Sequence, residues 1–477
     1  MRNDTSFKMS DTKQQPLGFY ADNPNWTSSS AITDDLIARH QTKHRLFKVV
    51  IGSLGIGVIL GIIGLILRLV DGVSDTAQWG YTAAVIAFLL TTASSAPMVA
   101  IAPRIAKGHW RRIISRPAEM WSVAGLVTLL LFIPMLWVLP SLEDGRRSLW
   151  FYHPGEVFAY SPHLWTTLSI LGLVVLGFIL LWVSAMPDLA ILRDRAEDGS
   201  VLKKRYSWLA RNWTGTTQDW IWQKHRLGII GALYFLMLIT VHFLFSVDFL
   251  MTLVPGWIDA LYPATHAANS LQAATATMIL TMFVLRTFCG YKEIGKVQFW
   301  SLGKLMFALS LLWFWFWFSS FNIYWYGKKP NEQQVMELFI HGPYMPIFYA
   351  TFILVFVVPL FTMIWNFLRR SIWGPTLIAI SVLIGIFLDR IRVYVAAYSV
   401  SDQSSSFHGI DVIPPTVYPD VADVFIVIGA ITASILLYVL LTRVVPIINI
   451  WEQKELLLYK LHKKYHRATV MVLGKPD

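Results

Sequence analysis

Residues 47–69 read FKVVIGSLGIGVILGIIGLILRL, an unbroken apolar run whose only charges, Lys48 and Arg68, stand near its two ends. At 1.5 Å rise per residue a helix of this length crosses the roughly 30 Å of bilayer hydrocarbon, and it satisfies its own backbone hydrogen bonds on the way. Nine further stretches have the same character: 81–102, 121–139, 164–186, 227–250, 267–285, 302–323, 344–368, 372–393 and 421–441. The sixth of the ten, 267–285, is the least apolar, being rich in Thr and Ala. Composition agrees. Of 477 residues 55% are apolar and 14% charged, where a soluble domain carries about 25% charge, and the mean hydropathy is +0.52. The expected fold is an all-α integral membrane protein with ten transmembrane helices.

The loops test that count, because Lys and Arg concentrate on the cytoplasmic side. Arg39, Lys43, Arg45 and Lys48 precede the first stretch, and Arg104, Lys107, Arg111, Arg112 and Arg116 follow the second. The fourth connection holds Arg193, Arg195, Lys203, Lys204, Arg205, Arg211, Lys224 and Arg226; the sixth Arg286, Lys292 and Lys296; the eighth Arg369 and Arg370. The tail adds Arg443, Lys454, Lys460, Lys463, Lys464 and Arg467, whereas the intervening loops have only Arg146, Arg147, Lys328 and Lys329. The alternation puts both termini in the cytoplasm. It also accounts for the excess of basic over acidic residues, 40 against 29, without a nucleic-acid partner.

Three segments follow: a cytoplasmic arm (1–44), a membrane domain (45–445) and an amphipathic tail (446–477). The arm has no apolar run, is not a signal peptide, and reads as irregular unless it orders against a partner. In the membrane domain 203–226 mixes bases with Trp208, Trp213, Trp220 and Trp222, and in the tail 451–467 mixes Leu with Lys and His; both have the composition of helices lying at the headgroup level. The prolines Pro97, Pro134 and Pro359 free backbone carbonyls that neighbouring helices must satisfy.

Ionisable groups at membrane depth cost roughly 2.5 to 3.5 kcal/mol each on insertion scales, so each needs a partner or a task. His242 lies about 22 Å into the fifth stretch from its cytoplasmic end, too deep for its ring to reach either surface. Asp248 follows on the same stretch. Asp389, Arg390 and Arg392 close the ninth, and Asn322 and His266 lie at the same outer level, His266 just ahead of the sixth stretch. Together they form a candidate outer proton pathway. Lys304, Ser94 and Ser95, with Thr91 and Thr92, are candidates for the inner half, across a gap that needs internal water. Each has a plainer reading: Asp389 beside Arg390 as an interfacial ion pair, Lys304 as a snorkelling side chain. His242 is the strongest candidate, as proton relay or hydrogen-bond donor to a quinone.

Redox centres are not expected in the chain. The single cysteine, Cys289, excludes a disulfide framework, a thiolate zinc site, iron-sulfur ligation and covalent haem attachment. A b-type haem needs two facing axial histidines, and His266 and His341 fall at or beyond the borders of their stretches. The aromatic run from Trp313 to Phe318 reads as lipid and core packing. No phosphate-binding loop, paired zinc histidines or nucleophile elbow stands in a suitable context.

Several motifs resemble the polysulfide-reductase (NrfD/PsrC-like) membrane subunits: Ala185-Met186-Pro187-Asp188-Leu189 with Leu192-Arg193-Asp194-Arg195; Val241-His242-Phe243 through Ser246-Val247-Asp248-Phe249 to Pro255-Gly256-Trp257; and Leu302-Gly303-Lys304-Leu305. The run Phe318-Ser319-Ser320-Phe321-Asn322-Ile323-Tyr324-Trp325-Tyr326 before Pro330-Asn331-Glu332 is similar to the second such membrane protein of alternative complex III. The similarity covers about residues 45–445. It implies two four-helix bundles, stretches two to five and six to nine, with the first and tenth outside. It implies a quinol:electron-acceptor oxidoreductase in a bacterial inner membrane. The implied partners are a menaquinol-binding sister subunit, a multihaem cytochrome c, an iron-sulfur subunit and small membrane subunits, besides lipids. Quinol-binding members carry a histidine on the first bundle helix, where this chain reads Thr91-Thr92-Ala93-Ser94-Ser95-Ala96-Pro97. That departure favours a proton-conducting or a scaffolding role over a quinol site. A stand-alone secondary transporter is the remaining alternative.

Overall fold

The computed structural model describes residues 26–42, 45–140, 142, 146–150, 160–211, 213–400, 409–465 and 468–473, with backbone alone at 45–46 and beyond 460. Most of the expected arm, 1–25, and the end of the tail lie outside this set. In chain order the helices are α1 (Ser29–Gln41), α2 (Arg45–Asp71), α3 (Gly80–Thr91), α4 (Met98–Ile105), α5 (Ser115–Met120), α6 (Gly125–Val138), α7 (His163–Arg195), α8 (Val201–Ala210), α9 (Thr217–Asp248) and α10 (Tyr262–Thr287). There follow α11 (Lys296–Gly327), α12 (Pro330–Met336), α13 (Met345–Phe352), α14 (Val358–Met363), α15 (Asn366–Arg369), α16 (Trp373–Arg390), α17 (Ala396–Tyr398), α18 (Val421–Leu441) and α19 (Ile450–Tyr459).

Among the described residues eight helical stretches are long and apolar enough to cross a bilayer: Phe47–Asp71, Ser115–Val138, His163–Arg195, Thr217–Leu253, Tyr262–Thr287, Lys296–Gly327, Met345–Met363 and Val421–Leu441. The chain is thus a helical, multi-pass membrane protein. The other two apolar stretches of the sequence fold differently. In the second, α3 and α4 meet at a turn over residues 92–97. Pro97 has no amide hydrogen and its ring crowds the carbonyl four residues back, which favours a break there. Thr91 and Thr92 bond back to the carbonyls of Ala87 (2.5 Å) and Phe88 (2.7 Å), a pattern that bends helices. In the ninth, α16 is 18 residues long, about 27 Å, and carries Asp389 and Arg390 at its end before a π-turn over Ile391–Val395 leads into α17.

α2 and α18 pack along one another because glycines let their backbones touch. A Cβ placed on Gly61 would lie 2.4 Å from Cα of Gly429. Arg68, fully buried, closes the pair by donating to Asp423 (2.6 Å) and Asp420 (2.8 Å). α9 packs on α7 and α10, and α10 on α11, α16 and α3.

Three expectations about the flanking segments are corrected. Residues 29–41 of the arm are not irregular: Ser28 caps α1 by accepting from Ala31 N, and Ile32, Leu36 and Ile37 are buried against the body. Arg39 clamps the helix to Glu293 through paired bonds of 2.7 and 3.1 Å. Second, 203–226 is not one helix. Arg211 (φ +47°) and Gly215 (φ +79°) turn the chain between α8 and α9, and a capping box of Thr216 and Asp219 starts α9. Third, 451–467 is helical only to Tyr459. It continues as a hairpin of β1 (Lys460–Tyr465) antiparallel to β2 (Ala468–Leu473), with Lys460 opposite Leu473.

At the end that carries α1 and α19, arginines read as loop charges are buried, or half-buried in the case of Arg104. Arg104 donates to Glu119 (2.7 Å) and Glu452 (3.4 Å), Arg111 to Glu452 (2.5 Å), Arg112 to Glu455 (3.2 Å) and Arg116 to Asp188 (3.1 Å). Burial by itself would raise the Glu452 carboxyl, but the Arg111 and Arg104 guanidinium groups hold it down to about 2. This network fastens α19 to α4, α5 and α7.

Candidate functional site

Four elements converge on the buried middle of the molecule: the turn between α3 and α4, α9, the first turns of α10, and the π-turn after α16. Each contributes one hydrogen-bonding side chain. His242 Nδ1 lies 2.9 Å from His266 Nδ1. His242 Nε2 lies 3.3 Å from Ser95 Oγ, and His266 Nε2 lies 3.2 Å from the Tyr394 hydroxyl. Ser95, His242, His266 and Tyr394 are all at most 1% exposed.

The local backbone explains each position. The α3–α4 break frees the Leu90 carbonyl, because Ser94 N bonds to Leu89 O instead; the Ser95 hydroxyl donates to Leu90 O at 2.8 Å. Tyr262 begins α10 with Pro263 in its first turn, where its missing N–H costs nothing. His266 therefore sits inside a helix that starts five residues before the apolar run. The π-turn adds a residue per turn locally and brings Tyr394 around to His266.

These contacts assign the protons. The Ser95 hydrogen is engaged by Leu90 O, so Ser95 Oγ accepts from His242 Nε2–H. His242 Nδ1 is then an acceptor and takes a hydrogen bond from His266 Nδ1–H, which leaves His266 Nε2 to accept from the Tyr394 O–H. The result is a directional chain from Tyr394 through both imidazoles to Ser95. In a low-dielectric interior such a chain is stronger than its separate bonds.

Charge stands beside the chain rather than in it. Arg390, 1% exposed, lies within electrostatic reach of both imidazoles and of Tyr394. It bonds to Asp389 at 3.4 Å, while its Nε and Nη2 have no partner among the described residues. Asp389 is held at 2.7 Å by Arg392, which also donates to Phe339 O.

The remaining candidates distribute as follows. Asp248 belongs to a separate constellation, accepting from the indole N–H groups of Trp150 and Trp165 at 2.8 Å each, near Arg146. Ser95 is a direct neighbour of His242 and not a member of a distant inner half. The Ser94 hydroxyl is buried without a partner among the described residues, and its carbonyl accepts from Tyr234. Lys304 is exposed, with its ammonium 3.7 Å over the Trp300 ring. Asn322 is half-buried and no hydrogen bond links it to the histidines. Phe314 stacks on Phe356 with centroids 4.2 Å apart, Trp317 meets Phe352 at a tilt, and Trp315 is exposed.

The expectation that His242 lacks a histidine at its own depth is corrected by the His242–His266 contact. A haem iron would sit between two axial nitrogens with the macrocycle separating the rings; here the rings touch, with centroids 5.0 Å apart. Among the described residues no three His, Cys, Asp or Glu side chains converge as metal ligands. Tyr394, Trp150 and Trp165 went unread in the sequence, and Arg146 was read only as a loop charge. Tyr394 is five residues past Asp389, a spacing that only the π-turn makes meaningful. No protein-family model matches the chain, and no curated protein does.

Proposed function

We propose that this chain is the non-haem membrane subunit of a menaquinol:electron-acceptor oxidoreductase of the alternative complex III type, and that it conducts protons. The observation that carries the reading is the direct His242–His266 hydrogen bond inside a buried chain of four titratable or hydroxylic side chains. Ionisable side chains at membrane depth are expensive to insert and more often carry a task than serve as packing. As a relay, a proton entering at the Tyr394 oxygen lets Tyr394 O–H pass to His266 Nε2, His266 Nδ1–H to His242 Nδ1 and His242 Nε2–H to Ser95 Oγ, which gives up its own hydrogen to an internal water, so that all four side chains end neutral. Each atom that receives a proton is already a hydrogen-bond acceptor. Arg390 limits the accumulation of positive charge on the imidazoles, so that protons pass without being trapped.

In this reading the chain makes ten crossings of a bacterial inner membrane, with α3–α4 and α16–α17 as the second and ninth, and both termini lie in the cytoplasm. Crossings two to five and six to nine form two four-helix bundles; the close pairing of α2 with α18 supports their place outside them. The complex would also comprise the quinol-binding sister subunit, the multihaem cytochrome c, the iron-sulfur subunit and small membrane subunits. Purification of the full-length chain from native membranes tests this. Haem and iron-sulfur absorbance should co-elute with it in stoichiometric amount. A stable chain free of both would overturn the reading in favour of a transporter.

A further inference from the structure

The first half of α9 presents one continuous exposed stripe. Trp222, His225, Arg226, Ile229, Leu233 and Leu236 recur at helical spacing on the same side, each exposed. The stripe changes character along its length. At its start the Arg226 guanidinium lies 5.9 Å from the Trp222 ring centroid, and the His225 ring lies 6.3 Å from the same ring. Beyond Arg226 the stripe is apolar, with Ile229, Leu233 and Leu236 exposed by 49, 46 and 60%. No carboxylate pairs with Arg226 among the described residues, in contrast to nearby Lys224, which is bridged to Glu455 at 3.2 Å.

We propose that this stripe binds a single anionic phospholipid. From Arg226 to Leu236 the helix rises about 15 Å, which equals the depth of one leaflet's hydrocarbon. An acyl chain laid along Ile229, Leu233 and Leu236 therefore ends with its phosphate beside Arg226. The guanidinium offers the phosphate a paired set of N–H donors, and the Trp222 indole has the amphipathic form that settles at headgroup level. The neighbouring helix α8 repeats the composition at the same end, with Val201, Lys204, Arg205 and Trp208 exposed on one face; it adds positive potential that favours an acidic over a zwitterionic headgroup. The inference rests on the chain's placement in a bilayer and is independent of the proton reading.

The full-length chain in nanodiscs of phosphatidylcholine with phosphatidylglycerol as a minor component provides the test, with retained lipids counted by native mass spectrometry. The parent should retain phosphatidylglycerol in preference to phosphatidylcholine. Arg226→Gln should lower that preference about fivefold, and Arg226→Lys, which keeps the charge, should preserve most of it. Unchanged melting of all three in pure phosphatidylcholine discs separates lipid loss from misfolding. Equal phosphatidylglycerol preference in the parent and Arg226→Gln would overturn the site, as would no preference in the parent.

Discussion

Replacing Glu452 by Gln removes one negative charge from the buried network that fastens α19 to the body. The carboxylate accepts from Arg111 at 2.5 Å, Asn449 at 3.1 Å and Arg104 at 3.4 Å, and it is completely buried. A glutamine fills the same volume but leaves two guanidinium groups facing a neutral amide, with Glu119 as the remaining neighbour of Arg104. Breaking a buried pair in this way costs about 3 to 5 kcal/mol. The shift of the carboxyl points the same way. Against burial, which raises it, the two arginines hold the folded carboxyl to about 2, compared with 4.5 when free, a gap worth roughly 3 kcal/mol. Because the folded value is the lower one, this stability is complete above about pH 4.5 and fades as pH falls toward 2. Denaturant-titrated unfolding in detergent at neutral pH should show Glu452→Gln destabilised by about 3 kcal/mol. The variant should also lose part of the parent's stability change below pH 4.5. A loss under about 1 kcal/mol, the range of exposed pairs, would refute the argument that α19 is anchored by buried charge.

Gly61→Leu should force α2 away from α18 by about 1 Å, since the backbone of Gly429 cannot yield alone. A cost of about 1 to 3 kcal/mol in the same unfolding assay is expected, and wild-type stability would contradict the close approach. His40 bonds to Tyr206 at 3.3 Å and is held down to about 4 by burial, then by Arg443 and Arg205. The contribution of its neutral form to the docking of α1 should be complete above pH 6.5 and lost as pH falls toward 4. Hydrogen exchange of residues 29–41 should rise over that window in the parent and not in His40→Gln. For topology, cysteine placed at Lys204 should react with a membrane-impermeant reagent only from the inside and at Lys328 only from the outside; equal labelling would refute the proposed orientation.

What the sequence made legible was whatever depends on transfer free energy. Apolar runs and alternating loop charge report the cost of moving residues across hydrocarbon, and they are read position by position without knowing contacts. His242 stood out on the same ground. What stayed hidden depends on pairs distant in the chain. His266 precedes its apolar run, so hydropathy put it at a border; only the early start of α10 at Tyr262 brings it to His242. Ser95 and Tyr394 reach the histidines through two irregularities, the break at Pro97 and the π-turn at 391–395. Pro97 signals a break but not the direction in which Ser95 then faces. The arginines 104, 111, 112 and 116 were counted correctly as basic, yet the count is blind to partners such as Glu452, more than 300 residues away. Exposed Lys304 shows the converse, a charge near a span border that the fold leaves at the surface.

The central claim, that Tyr394, His266, His242 and Ser95 act as one proton-conducting chain, is tested most directly by Tyr394→Phe. The change deletes a single oxygen and leaves His266 Nε2 without its donor, at a cost of about 1 to 3 kcal/mol in stability, while the ring stacking against Phe245 is retained. The decisive quantity is the number of protons translocated per electron by the complex in sealed vesicles. Tyr394→Phe should assemble and oxidise quinol near the parent rate with a clearly lower proton-to-electron ratio. An assembled variant with the parent's ratio would contradict the claim and leave the four residues as a structural network.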